Sequence, residues 1–250
     1  MSIRRKEILK ELGLLPQWHN TLDGLKDSIP TPPLIKKDQH KKERAGDISN
    51  EARRDQILHM NWSQLKKEVT NCTACTLCQA RTHTVFGTGD ENADWLYIGE
   101  GPGAREDATG EPFVGQAGKL LDNMLMAIGL QRGHHVYIAN IVKCRPPNNR
   151  NPDSTEVRQC EPYLARQIEL VKPKVIIALG KVAAQSLLGL NDNISSLRGK
   201  LHTYSGIPLI VTYHPAYLLR SLPDKAKAWE DLCFAKATMQ SLAWEPVGLK

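Results

Sequence analysis

Residues 94–104, DWLYIGEGPGA, run from a short apolar segment, Asp94–Ile98, directly into a glycine-rich turn, Gly99–Ala104. Working outward, three further apolar runs follow at Val136–Val142, Val175–Leu179 and Pro208–Tyr213. Helical patterns separate them: GKLLDNMLMAIGL (118–130), DSTEVRQCEPYLARQIELV (153–171) and KVAAQSLLGL (181–190). Ser154, with Glu156 in the first turn, reads as the start of the second of these helices. Another helix is expected from Trp62 to Thr70. Strands alternating with helices predict an α/β fold: a parallel four-stranded sheet flanked by helices in three layers. Such a fold binds its ligands beyond the carboxyl ends of the strands.

The chain has 250 residues and a formal net charge of +6. That length holds one core plus an appendage, and the positive balance suits an anionic partner such as nucleic acid. No apolar run approaches the roughly 18–20 residues of a membrane span, so no membrane partner is expected and the cytoplasm is the default location. Ile8, Leu9, Leu12 and Leu15 recur at helical spacing within Ser2–Trp18, an amphipathic face able to meet a protein partner. From Asp23 to Asp55 the chain is rich in Pro, Lys, Asp and Glu, too polar to offset the entropy of ordering, and reads as a disordered linker. The expected organisation is an N-terminal helix and linker over residues 1–55 and a catalytic domain over residues 56–250, acting as a monomer.

Of the six cysteines, Cys72, Cys75 and Cys78 form a C-x-x-C-x-x-C run, Cys144 and Cys160 flank a Pro- and Asn-rich loop, and Cys233 lies in the last helical pattern. A domain of this size in a reducing compartment does not need disulfides, so clustered cysteines point to metal. A C-x-x-C pair forms one edge of either a zinc or an iron–sulfur site. Zinc ribbons carry a second pair at close spacing. Here the later cysteines are sixteen positions apart, which favours a bulky iron–sulfur cluster over zinc or reduced core thiols. Cys233 reads as a buried helix residue.

The turn after the first strand matches a relaxed G-x-G-x-x-A dinucleotide fingerprint. Its context does not, because Thr109-Gly110-Glu111-Pro112 interrupts the helix that would receive a pyrophosphate. The second strand also ends without an acid to hold a ribose, so no nucleotide cofactor is expected. Glycine there instead lets backbone approach a flat ligand closely. Phe113 follows in the same loop, Asn140 ends the second strand and His214 follows the fourth. A ring to stack, an amide that both donates and accepts, and an imidazole together suit a flipped pyrimidine.

These segments, NCTACTLCQARTHTVFGTG (71–89), GEGPGAREDATGEPFVGQAGKLLD (99–122), YIANIVKCRPPNNRNP (137–152) and HPAYLLR (214–220), resemble the family 4, iron–sulfur uracil-DNA glycosylases. The resemblance runs from about Asn71 to Met239. It implies one structural 4Fe–4S cluster on Cys72, Cys75, Cys144 and Cys160, with Cys78 left over, and no catalytic metal. It also implies removal of uracil from single- or double-stranded DNA. Uracil would stack on Phe113, pair with Asn140 and lie against Gly99, Gly101 and Gly103, with His214 near its O2. The best-studied branch of the superfamily has a water-activating aspartate where this chain has Gly101. Glu100 is therefore the candidate to orient water, with Glu106, also placed beside the substrate, and Asp107 as weaker alternatives. Lys143, Arg145, Arg150 and Arg220 are candidate DNA contacts. Two other readings stay open: a DNA-binding iron–sulfur protein without activity, and a nucleotide-binding α/β enzyme.

Overall fold

The computed structural model describes residues 50–243, so the expected helix over Ser2–Trp18 and most of the linker lie outside the described residues. A helical segment over residues 50–58 precedes α1 (Trp62–Asn71). Asn61 caps α1 by accepting from the Gln64 N–H, while the Gln64 side chain accepts from the Asn61 N–H. That reciprocal pair satisfies two of the helix's free amides. The chain continues through β1 (Thr88–Gly89), β2 (Trp95–Gly99), α2 (Ala104–Thr109), α3 (Gln116–Ala127) and β3 (Val136–Asn140). It then forms α4 (Ser154–Val171), β4 (Val175–Leu179), α5 (Lys181–Leu188) and α6 (Ile194–Leu197). Last come β5 (Leu201–Tyr204), β6 (Ile207–Thr212), α7 (Pro215–Leu218) and α8 (Asp224–Ala243).

The sheet runs β1-β3-β2-β4-β6-β5. Its four central strands are parallel, as their continuous apolar runs require of strands covered on both faces. Leu96, Ile98, Ile176, Ala178 and Val211 point into one core with α1 and α4, where Leu65, Tyr163 and Ile168 are buried. Tyr97, Ile138, Ile177 and Ile210 point into the other, against Leu121 and Leu125 of α3 and Leu232 and Ala235 of α8. The β2–β3 register places Gly99 opposite Asn140, bringing the glycine turn and the amide to the same carboxyl edge.

Several expectations are corrected. The sheet has six strands, because β1 pairs antiparallel with β3 and β5 antiparallel with β6. Residues 50–55 are helical and not linker: Arg53 donates to the Gln159 backbone oxygen (3.1 Å) and its guanidinium lies 5.1 Å from the Tyr163 ring centroid. The α4 start expected at Ser154 is where the helix begins, with Asp153 as the cap accepting from the Glu156 N–H. Cys233 is exposed, because the buried stripe of α8 runs through Ala228, Leu232 and Ala235 and leaves its neighbour facing out.

Candidate functional site

A cleft of about 480 Å³ opens beyond the carboxyl ends of β2, β3 and β6. Glu100, Gly101, Gly103, Glu106, Phe113, Asn140, Arg150, His214 and Arg220 all line it. Gly99 is not a lining residue but packs behind two that are, Asn140 and Phe113. A Cβ there would stand 2.5 Å from both the Asn140 Oδ1 and the Phe113 ring, so only glycine lets these two groups converge.

Phe113 is buried and takes φ of 56°, the left-handed region that a bulky residue enters only when its surroundings hold it. Arg132 donates to the backbone oxygens of Pro112 (2.9 Å) and Phe113 (3.0 Å) while its other edge pairs with Asp122 (2.9 Å). Glu106 Oε1 accepts from the Val114 and Gly115 N–H groups, both at 3.0 Å. Glu106 therefore shapes the cleft by holding the Phe113 loop. Asp107 does not join the site: it is buried and its Oδ1 accepts from the Thr82 N–H at 2.9 Å.

Asn140 is 2% exposed, and its Oδ1 is buried without a hydrogen-bond partner among the described residues. Buried polar atoms are nearly always satisfied, so an amide left unpaired at the floor of a cleft is set up for a ligand. His214 caps α7. Its Nδ1 accepts from the Ala216 N–H at 3.1 Å, which leaves Nε2 to carry the proton and act as a donor. Burial, helped by the positive charge of Arg220 and opposed by Glu106, pushes its pKa down to about 4, so the ring is neutral near pH 7. The Phe113 and His214 ring centroids stand 5.6 Å apart at 31°. Glu100 is half-buried, and burial raises its carboxyl above the ordinary range.

The basic candidates divide. Arg220 is exposed at the cleft. Arg150 reaches the cleft but forks onto Glu156 at 2.6 and 2.8 Å, and Arg145 donates to Asn149 at 2.8 Å. Lys143 is no DNA contact. It is 1% exposed, and its ammonium donates inward to the Asn140 backbone oxygen at 2.9 Å.

Cys72, Cys75, Cys78, Cys144 and Cys160 line a second, enclosed cavity between α1, α4 and the loop after β3, and all are free thiols. Arg81 approaches the Cys144 sulfur at 3.2 Å, and the Lys143 backbone N–H donates to the Cys160 sulfur at 3.2 Å. Burial raises the thiols of Cys75 and Cys144 and pushes that of Cys160 up to about 12. Among the described residues no three His, Cys, Asp or Glu side chains gather as a group that could hold one metal ion.

The sequence profile of the uracil DNA glycosylase superfamily matches residues 86–233, more than half of the chain and every element of the cleft. The chain belongs to that superfamily. It is 46% identical over 161 residues to the Type-4 uracil-DNA glycosylase of Archaeoglobus fulgidus, covering 61% of this chain and 80% of that protein. Against the Type-4 uracil-DNA glycosylase of Sulfurisphaera tokodaii it is 44% identical over 177 residues, 67% of this chain and 80% of the relative. Against that of Pyrobaculum aerophilum it is 41% identical over 183 residues, 69% of this chain and 92% of the relative. Within this superfamily member, sequence reasoning missed Arg132, Arg81 and Tyr217, which also lines the cleft. For Arg81 there was a signal, a lone base three residues beyond the cysteine run. For Arg132 there was none, since its role depends on a backbone conformation that a phenylalanine does not announce.

Proposed function

We propose that this chain hydrolyses the N-glycosidic bond of a flipped deoxyuridine in DNA, releasing uracil and starting base excision repair. The observation that carries this reading is the unpartnered buried Oδ1 of Asn140, in a cleft that it shares with the Phe113 and His214 rings. Uracil presents O4 as an acceptor and N3–H as a donor on one edge, the complement of an amide. Phe113 stacks the ring, and Gly99 keeps the base close to backbone.

In the reaction the C1′–N1 bond breaks ahead of water attack, leaving positive charge on the sugar and negative charge on uracil. A neutral His214 donates from Nε2 to O2 where that charge collects, and N–H groups of the Gly99–Gly103 turn assist. The neutral ring keeps its Nε2 proton and stabilises the anion by hydrogen bonding alone. Glu100 orients the water and takes its proton as oxygen bonds to C1′. Its raised pKa makes it a better base than an ordinary carboxylate. Gly101 has no side chain to offer that role, so the duty passes to its neighbour.

The donor set of the second cavity fits an iron–sulfur cluster. Two of these thiols, Cys144 and Cys160, are buried and costly to ionise alone, whereas a cluster would bind its cysteines as thiolates, and a guanidinium and a backbone N–H already face those two sulfurs. Cys72, Cys75, Cys144 and Cys160 would hold one 4Fe–4S group, with Cys78 spare. When bound it supplies structure, pinning the loop after β3 and the start of α4 to the segment before β1, and takes no part in hydrolysis. Arg220 supports phosphate directly, with Arg150 and Arg145 nearby, on single- or double-stranded DNA. In this reading the enzyme acts as a cytoplasmic monomer, with the N-terminal helix expected over Ser2–Trp18 as the surface for a protein partner and no nucleotide cofactor or catalytic metal.

The test is incubation of the iron-loaded protein with a labelled oligonucleotide holding one uracil, then alkaline cleavage. A strand break at the uracil position is expected. An intact strand at high enzyme excess would overturn the proposal.

A further inference from the structure

The short helix that His214 caps also carries an aromatic side chain that the chemistry above does not use. Tyr217 lies in α7, lines the same cleft, and is 39% exposed. An exposed tyrosine is ordinarily mobile, but this one is held at two points, its hydroxyl and one ring face. Its hydroxyl donates to Asp224 at 2.6 Å, and Ser221 donates to the same carboxylate oxygen at 2.8 Å. One face stacks on Tyr213, with centroids 5.2 Å apart and planes within 22°. Behind Tyr213 stands the Arg198 guanidinium, 5.4 Å from the ring centroid and paired with Asp231 at 3.0 Å. Arg198, Tyr213 and Tyr217 are thus held in series, and the last of them lines the cleft with 39% of its surface exposed.

Within that cleft exposure rises from Phe113, 6% exposed, to Tyr217, 39% exposed, so Tyr217 lies nearer the mouth than the ring assigned to uracil. Arg220, one turn on, sets a positive charge beside it. We infer that Tyr217 is a stacking platform for the nucleobase next to the flipped deoxyuridine in the same strand. Flipping strips that neighbour of a stacking partner, and a ring already held rigid replaces it without loss of side-chain entropy. This inference rests on the uracil-excision reading and adds to it a second base-binding surface. Stacking of one base on an aromatic side chain corresponds to about 5- to 150-fold in binding.

The experiment uses the full chain and three single-stranded oligonucleotides: one with normal bases around uracil, and one each with a tetrahydrofuran abasic analogue on the 5′ or the 3′ side of it. Wild type is expected to lose about 5- to 150-fold in kcat/KM when one of the two neighbours is removed, through KM and with little change in saturating rate. Tyr217→Leu is expected to show that loss on the normal strand and no further loss on the strand lacking that neighbour. Tyr217→Phe, which keeps the ring, should stay close to wild type on the normal strand. An equal loss in Tyr217→Leu on all three strands would mark a merely structural ring and overturn the inference. So would a wild type indifferent to both neighbours, a result that stands even if Tyr217→Leu misfolds. Absence of uracil release from every strand would instead overturn the excision reading itself.

Discussion

His214 offers a quantitative handle, because its neutrality is built into the fold. Its Nδ1 is tied to the Ala216 N–H, and burial holds its pKa at about 4, against 6.5 for an exposed imidazole. The folded protein therefore resists a proton that the unfolded chain accepts, so the stability this group contributes is complete above pH 6.5 and is lost as pH falls towards 4. Between pH 7.5 and pH 5 the loss amounts to about 2 kcal/mol, from 1.36 kcal/mol per unit of pKa difference and the two titration curves. Replacing His214 by Leu removes that dependence. Urea unfolding of wild type and His214→Leu across this range should thus show their stability difference moving by about 2 kcal/mol against wild type at the acid end. Activity follows the same logic. A donor that stays neutral down to pH 4 produces no break in the single-turnover rate near pH 6.5, whereas His214→Leu lowers that rate roughly 10²-fold at every pH, the scale of one lost oxyanion donor. An NMR titration of the His214 ring settles the cause: a midpoint near 6.5, or a stability difference that ignores pH, would refute the burial argument. Arg220→Gln should raise that midpoint, since its charge is one of the two forces holding it down.

Asn140→Asp places an acceptor where the amide donated, so uracil release is expected to fall by up to roughly 10⁴-fold and slow release of cytosine to appear, measured on matched oligonucleotides. Wild-type uracil release in that variant would remove Asn140 from base reading. Anaerobically purified protein should be brown and hold about four irons, and Cys160→Ala should lose iron and fold together while Cys78→Ala keeps its iron, read by iron analysis and visible absorbance. Deleting residues 1–45 is expected to leave uracil release intact, whereas deleting to residue 55 removes Arg53 from Gln159 and Tyr163 and lowers Tm by several degrees.

What the sequence made legible follows from burial. The four central strands are covered on both faces, so each appears as an unbroken apolar run, and their carboxyl ends pick out Gly99, Asn140 and the segment leading to His214. The edge strands carry no such mark: β1 is two residues long, and β5 alternates exposed with half-buried positions. Charge letters misled for a related reason. Lys143 and Asp107 look like solvent-facing groups until the fold shows one ammonium bonded to the Asn140 carbonyl and one carboxylate bonded to the Thr82 amide. Cys233 misled in the opposite sense, because one step of 100° around α8 separates a buried position from an exposed one.

The width of the base pocket has a single mechanical origin. The Phe113 backbone sits in a conformation that costs about 1–3 kcal/mol for a non-glycine residue. Four hydrogen bonds hold it there, two from Arg132 to carbonyls and two from amides to Glu106, drawing on elements before and after the loop. A third support is steric, since a Cβ at Gly118 would stand 1.7 Å from the Phe113 carbonyl oxygen; only glycine lets the loop lie against α3. Opposite the ring, Gly99 closes the gap to the Asn140 amide to a distance that no other residue permits. The pocket is thereby fixed before any base arrives, and binding spends nothing on ordering it. A preset gap also divides the labour in the proposed reading: the rigid Asn140 amide and Phe113 ring would select the base, while Glu100 and His214 would need only serve whatever that gap admits.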